Sequence, residues 1–153
     1  MAPELTTRAT AFKERMLAST PVFEKTFTPA EASKTLPLVK QIVADILIKG
    51  KALRTLVEDE TPETVEKDDR RSVLESELEE LYGELERLGC SFRDWGFEIG
   101  LVDFPSEIDG TPVLLCWRSD EPQVTYYHSP EAGYAGRKPI PRHLLEAPSK
   151  TNA

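Results

Sequence analysis

The sequence has few cysteines, no long apolar run and no excess of basic residues, and each shortage excludes a class of protein. Two cysteines, Cys90 and Cys116, are too few for a disulfide framework, and reduced thiols are typical of the cytoplasm. No segment approaches the roughly 18 consecutive apolar residues that a membrane helix needs. Residues 1–20 also lack the apolar centre of a secretory signal. We therefore expect a cytoplasmic protein without a membrane segment.

The charge of the chain argues against binding to nucleic acid. The formal net charge of the 153 residues is −8, whereas proteins that bind phosphate backbones present a basic surface. Residues 58–86 contain thirteen acidic and three basic side chains, so the acidity belongs to one segment. We expect neither nucleic acid nor membrane as a partner.

The first part of the chain predicts an α+β protein that begins with a long antiparallel helical hairpin, over residues 27–88. Thr28, Pro29 and Glu31 have the spacing of a capping box with proline at the first helical position. Pro37 removes one backbone hydrogen bond from the helix. It predicts a break or kink between a short capped helix and a long second one.

The third predicted helix forms the second long arm of the hairpin. Thr61 and Pro62 resemble a further helix start, and Gly89 is well placed to end the helix. Apolar residues follow a coiled-coil-like spacing in both long arms, at Leu36, Val39, Val43, Ile46, Leu53 and Val57 and again at Leu74, Leu78, Leu81, Leu85 and Leu88. Charge complementarity predicts pairing of Arg54 with Asp68 or Asp69, and of Lys40 with Glu80 or Glu84.

A period of two follows the hairpin and predicts a small antiparallel β unit of about three strands, within residues 89–140. Pro105 is expected to end the first strand, and Asp109-Gly110 to form a turn. The predicted strands are residues 100–105, 112–118 and 123–128. Residues 27–140 would then form a single domain, between a flexible arm at 1–26 and a flexible tail at 141–153.

The register of the last two strands decides which side chains share a face. A symmetric loop at residues 119–122 would put Cys116 and His128 on opposite faces of the sheet. A three-residue loop would shift the register by one residue and exchange the faces of one strand. The sequence leaves both registers open.

Several segments together resemble a known family. The segments are Phe27 to Ala32, Leu36-Pro37, Gly100 to Pro105, Leu115 to Trp117, Glu121, His128 and Gly133 to Pro139. Over about residues 27–140 the sequence resembles an uncharacterised bacterial family, domain of unknown function 2203. The resemblance implies a helical region before a small β unit in a bacterial soluble protein, and it implies no activity.

Four residues of the β unit could ligate a transition metal: Asp103, Cys116, Glu121 and His128, with Cys90 and His143 as outliers. Their residue types suit zinc or iron, but no C-x-x-C, H-x-x-x-H or E-x-x-H spacing is present. Cys116 and His128 could also form a catalytic pair. The alternative is structural, with Cys116 as a small buried side chain and His128 hydrogen-bonded at a strand end.

A glycine-rich basic segment, residues 133–138, could bind a small anion through backbone N–H groups and Arg137. In the alternative, the segment is a turn in which Arg137 pairs with Glu121 or Asp103. The aromatic residues of the last third are expected to form the core between sheet and helices.

These observations favour a non-enzymatic binding or assembly module, because no catalytic spacing is present. Its β unit would recognise a protein partner or a small anion, and its helices could self-associate. The candidate binding residues are Asp103, Trp117, Glu121, His128, Gly136 and Arg137. No cofactor is predicted; the alternative is a metal-binding protein or metal-dependent enzyme that uses Asp103, Cys116, Glu121 and His128.

Overall fold

A computed structural model describes residues 25–146, in which two long helices are followed by a five-stranded antiparallel sheet. The fold is therefore α+β, as the sequence predicts. The helices are α1 (Pro29–Glu58), α2 (Val65–Leu88) and α3 (Arg142–Leu145). The strands are β1 (Ser91–Phe92), β2 (Leu101–Ile108), β3 (Thr111–Arg118), β4 (Tyr126–His128) and β5 (Lys138–Pro139). Consecutive strands are neighbours in the sheet, so the strand order is that of a simple meander.

Helix α1 begins at the predicted capping box but continues through Pro37. The Thr28 hydroxyl accepts from the Glu31 amide, and the Glu31 carboxylate accepts from the Thr28 amide. The predicted short first helix is wrong, because α1 is continuous from Pro29 to Glu58. Pro37 is exposed, so water can reach this side of the helix, while Leu36 and Val39 remain buried on the other side. Burial of that apolar stripe outweighs the loss of one hydrogen bond.

Helix α2 begins three residues later than the sequence predicts. Thr64 is the N-cap, and its hydroxyl accepts from the Lys67 amide. Thr61 is instead held in the connecting loop, where both its amide and its hydroxyl donate to the Asp59 carboxylate. Gly89 ends the helix in the left-handed conformation, at φ 102°, as predicted.

The two long helices pack through the predicted apolar stripes, which are buried at most positions. Their charge pairing differs from the prediction. Across the hairpin, Nζ of Lys49 lies 3.3 Å from Oε2 of Glu77. Arg54 instead donates to the backbone carbonyl of Gly96, which anchors the hairpin to the loop before β2.

Strand β2 passes through Pro105 and reaches Ile108, so the predicted end at Pro105 is wrong. The Pro105 carbonyl accepts from the Phe27 amide, on the side of β2 that faces away from β3. A proline nitrogen on that side removes no hydrogen bond between β2 and β3. The turn that follows, Asp109-Gly110, has positive φ at both residues, which is the geometry of a tight two-residue hairpin.

One face of the sheet, here called the inner face, packs against the helical hairpin. Its side chains alternate along the strands and join the main apolar core with the helices; they are Phe92, Val102, Phe104, Leu115 and Trp117. The intervening side chains lie on the opposite, outer face. The division places Asp103 and Cys116 on the outer face, away from the helices.

The end of the described chain is partly folded onto the domain. Helix α3 lies in the predicted tail, and Leu144 and Leu145 pack against the core. The predicted arm, residues 1–26, lies outside the described residues except for its last two. Within residues 25–146, no helix is both long and apolar enough to cross a membrane.

Candidate metal centre

The register between β3 and β4 brings three of the predicted ligands together on the outer face. Cys116 is paired with Asp103 on one side and with Tyr126 on the other. Paired residues project on the same face, and so does His128, two residues beyond Tyr126. This register is one residue away from that of a symmetric loop, and it is the register that a metal site needs.

The three side chains form a compact buried cluster, the Asp-Cys-His cluster of Asp103, Cys116 and His128. One ligand atom from each lies within 4.8 Å of the other two. Each of the three residues is at most 2% exposed. Glu121, the fourth predicted ligand, is not part of the cluster.

Hydrogen bonding determines which nitrogen of His128 faces the cluster. Nδ1 lies 2.8 Å from the Ser129 carbonyl oxygen, so Nδ1 carries a proton and donates. In a neutral ring, Nε2 then has only a lone pair. Nε2 lies 3.2 Å from Oδ1 of Asp103, which is also an acceptor when ionised. Two acceptors at this distance require a cation between them, either a proton or a metal ion.

The electrostatics of the cluster agree with this requirement. Burial of His128 disfavours its charged form, but the hydrogen bond and the negative charge of Asp103 outweigh burial, so the pKa of His128 is raised. The other oxygen of Asp103, Oδ2, lies 3.3 Å from Nε of Arg93. The carboxylate is therefore held from both sides by positively charged or protonated groups.

The thiol of Cys116 is protonated unless a cation binds it. Burial and the neighbouring Asp103 charge raise its pKa to about 12. The sequence-based alternative of a cysteine nucleophile needs a thiolate near neutral pH, and this environment disfavours one. Cys90 is also a free buried thiol, but it donates to the Leu85 carbonyl and does not join the cluster. His143 is exposed on α3.

Two residues next to the cluster were missed at the level of sequence. Ser91 is paired with Asp103, and Arg93 follows two residues later on the same face. Oγ of Ser91 and Nη1 of Arg93 are both buried without a hydrogen-bond partner in the described part of the chain. The signal was a polar, apolar, polar alternation around Phe92, directly after the helix end at Gly89, but it is too short to predict a strand.

The predicted anion-binding residues are engaged with each other. Nη2 of Arg137 donates to both carboxylate oxygens of Glu121, at 2.7 and 2.6 Å, and its guanidinium lies 4.0 Å from the centre of the Tyr126 ring. The turn alternative, with Arg137 paired to Glu121, is thus the arrangement observed. Gly136 belongs to a short 3₁₀ turn, Tyr134–Gly136.

Trp117 and Glu121 close the loop between β3 and β4. The Trp117 indole donates to the Glu121 carbonyl, and the Glu121 carboxylate accepts from the Arg118 amide. Trp117 lies on the inner face and is buried in the core. Of the six predicted binding residues, Asp103 and His128 are in the Asp-Cys-His cluster. Glu121 and Arg137 form a neighbouring ion pair on the loops.

Comparison with known proteins identifies the family and no function. Residues 25–140 match the family described as "Uncharacterized conserved protein (DUF2203)". No curated protein and no solved structure matches the chain. The match covers most of the chain, including both long helices and the sheet. The protein belongs to the DUF2203 family.

Proposed function

We propose that this protein binds a transition metal ion of the zinc class through Asp103, Cys116 and His128. The observation that carries the proposal is the orientation of His128. Its Nδ1 donates to a backbone carbonyl, and its Nε2 faces the side-chain oxygen of Asp103 inside the cluster. Histidine ligands in metal sites usually have this second hydrogen bond to a carbonyl or a carboxylate.

The spacing of the three side chains suits tetrahedral coordination. Zinc lies about 2.0–2.3 Å from its nitrogen, oxygen and sulfur ligands, so ligand atoms in a tetrahedral site are about 3.3–3.6 Å apart. The separation of 3.2 Å between His128 and Asp103 is already close to this value. The limit of 4.8 Å on the cluster means that small side-chain movements would bring Cys116 into place.

Metal titration of cysteine variants tests the proposal. Untagged protein is stripped with a chelator and titrated with Co²⁺, whose charge-transfer absorption reports a thiolate ligand. We expect one equivalent to bind to the wild type and to Cys90→Ser. Cys116→Ser should lose the charge-transfer band and bind Co²⁺ at least about 100-fold more weakly, because an anionic sulfur ligand is removed.

The two cysteine variants make the outcome unambiguous. Both cysteines are buried, so each substitution tests the same loss of a buried thiol. Equal cobalt binding by the two variants, or the absence of any binding by the wild type, would refute the metal site. In that case the proton shared by His128 and Asp103 is the cation of the cluster.

A second candidate function is self-association through the hairpin, with another copy of this chain as the partner. Several large apolar side chains of the hairpin are 49–74% exposed: Leu38, Ile48, Val57, Val65 and Val73. Helix α1 has five basic and three acidic residues, whereas α2 has four basic and nine acidic ones. An α1 from one copy therefore complements the charge of α2 from another.

Light scattering after size-exclusion chromatography tests this second function. We expect a dimer for the wild type and a monomer for the double variant Ile48→Glu/Val73→Glu. Ser72→Glu adds a charge at an exposed neighbouring position and serves as the control. A monomeric wild type at high micromolar concentration would contradict it. Both functions suit a cytoplasmic protein, in which Cys90 and Cys116 would remain reduced.

A further inference from the structure

Three protein ligands leave one position of a tetrahedral metal ion open. Structural zinc sites usually have four protein ligands, whereas sites that bind a small molecule have three and an exchangeable fourth ligand. Within the described residues, the Asp-Cys-His cluster is the one group of potential ligands close enough to hold an ion. The fourth ligand should therefore come from solution.

Two donors that have no partner among residues 25–146 lie directly beside the cluster. Ser91 is 3% exposed and is the cross-strand partner of Asp103, so its hydroxyl projects on the outer face next to the carboxylate. Nη1 of Arg93 is also buried, and the same guanidinium contacts Asp103 through Nε. A buried polar group without a partner costs about 1–3 kcal/mol, which makes such groups good indicators of an absent ligand or water.

The chemistry of these two groups specifies an acceptor. A guanidinium only donates hydrogen bonds, and a serine hydroxyl can donate one. Both therefore suit an oxygen atom with negative charge. Arginine is also the side chain whose geometry best suits carboxylate and phosphate oxygens.

The net charge of the metal-bound cluster also favours an anionic ligand. The two positive charges of the metal ion and the one of Arg93 would face two negative charges, those of the Asp103 carboxylate and the Cys116 thiolate. One positive charge remains in a buried environment, where an uncompensated charge is costly. The neighbouring ion pair of Glu121 and Arg137 is neutral as a whole, so it does not remove the excess.

We propose that the metal ion binds a small oxyanion as its fourth ligand, with Ser91 and Arg93 as the groups that hold it. This inference rests on the proposed metal site and adds the class of its exchangeable ligand. It also moves the predicted anion-binding site of the β unit from the glycine-rich turn at Arg137 to the outer face beside β1.

Anion titration of the cobalt-loaded protein tests the inference. Formate, acetate and inorganic phosphate are added in turn at constant ionic strength, and the visible absorption of Co²⁺ is followed. We expect a saturable spectral change. Formate and acetate represent a carboxylate ligand and phosphate a phosphoryl ligand, so the anion that binds most tightly identifies the source of the oxygens.

Substitution of Arg93 separates this inference from the metal site. Arg93→Gln should still bind one equivalent of Co²⁺ but bind the anion about tenfold or more weakly, because a charge-assisted hydrogen bond is lost. Arg93→Lys should recover part of the affinity. Arg142→Gln, at an almost fully exposed arginine, should behave as the wild type.

The possible results have distinct meanings. Two results would refute the oxyanion ligand without refuting the metal site. In the first, Co²⁺ binds but no anion changes its spectrum. In the second, Arg93→Gln binds the anion as tightly as the wild type. If Co²⁺ does not bind at all, both proposals fail. Ser91→Ala, which retains every charge, should weaken anion binding several-fold. If Arg93→Gln does not fold, this variant tests the oxyanion ligand, and unchanged anion affinity would refute it.

Discussion

Nε2 of His128 lies 3.2 Å from Oδ1 of Asp103, and both side chains are buried on the face of the sheet opposite the helices. The carboxylate also contacts Arg93 through its second oxygen. The three residues come from β2, the end of β4 and the segment just after β1, so their side chains connect β1, β2 and β4 across the outer face of the sheet. This network should therefore matter for stability as well as for metal binding.

Removal of the Asp103 carboxylate is predicted to destabilise the metal-free protein strongly. Asp103→Ala leaves the Arg93 guanidinium and the His128 ring without their shared partner in a buried site, at a cost of about 3–5 kcal/mol. Urea unfolding in the presence of a chelator measures the change. The control is Glu146→Ala, which removes an exposed ion pair with Arg142 and should change stability by less than about 1 kcal/mol. A loss below about 1 kcal/mol for Asp103→Ala would contradict the network.

Two glycines of the long helices are predicted to respond differently to substitution by alanine, because only Gly50 is packed closely against a neighbouring segment. A Cβ atom at Gly50 would overlap the ring of Phe97, whose backbone is held at φ 59°. We expect Gly50→Ala to destabilise the protein by about 1–3 kcal/mol. At Gly83, in α2, the nearest atom to a new Cβ is the end of the Arg87 side chain at 3.4 Å. Gly83→Ala should therefore be neutral or stabilise by up to about 1 kcal/mol, because alanine favours the helix.

Chemical denaturation of the two variants beside the wild type compares them directly. The expected order of midpoints is Gly83→Ala at or above the wild type, and Gly50→Ala clearly below it. If both variants were equally destabilised, the contact between Gly50 and Phe97 would not be the reason.

The helix ends show what local sequence can predict. The start at Thr28 and the end at Gly89 depend on residues within one turn of the chain, and both were predicted correctly. The start of α2 was not, because Thr61 and Thr64 both have capping chemistry. The Asp59 carboxylate binds Thr61 and leaves Thr64 as the cap, a choice that depends on the loop as a whole.

The candidate site shows what local sequence cannot predict. Asp103, Cys116 and His128 were selected by residue type, but their common face depends on the register between β3 and β4. That register is set by the loop that Glu121 and Trp117 close through hydrogen bonds. Periodicity carries no information about such contacts. Ser91 and Arg93 were missed for a related reason, since a two-residue strand has no period of its own.

A single hydrogen bond between α1 and the loop before β4 is predicted to contribute measurably to stability. The hydroxyl of Ser33 accepts from the Val124 amide at 3.0 Å, and Val124 is buried in the core. Ser33→Ala would leave a buried amide without a partner, at a cost of about 1–3 kcal/mol. Thr35→Ala is the control, because the Thr35 hydroxyl donates to the carbonyl of Ala32 in its own helix. Thermal unfolding should separate the two, and equal melting temperatures would contradict the prediction.

The buried thiol of Cys90 is predicted to resist modification in the folded protein. Burial raises its pKa from 9.0 to about 12, so at pH 8 only about one molecule in ten thousand carries the reactive thiolate. In the variant Cys116→Ser, in which Cys90 is the only thiol, a disulfide reagent should react at least about a thousandfold more slowly in native buffer than in concentrated urea. A fast native reaction would show that Cys90 is accessible.

The same shift in the pKa of Cys90 determines how stability depends on pH. A thiol with a higher pKa in the folded state contributes stability that is complete below pH 9 and is lost as the pH rises from 9 towards 12, because the unfolded state ionises first. Wild-type protein should therefore lose about 1 kcal/mol more than Cys90→Ser between pH 8 and pH 10. Both proteins share the other tyrosine and lysine titrations, so the difference between their unfolding free energies isolates Cys90. A difference that is constant over this range, or that changes in the opposite direction, would mean that the thiol is not buried in the native state.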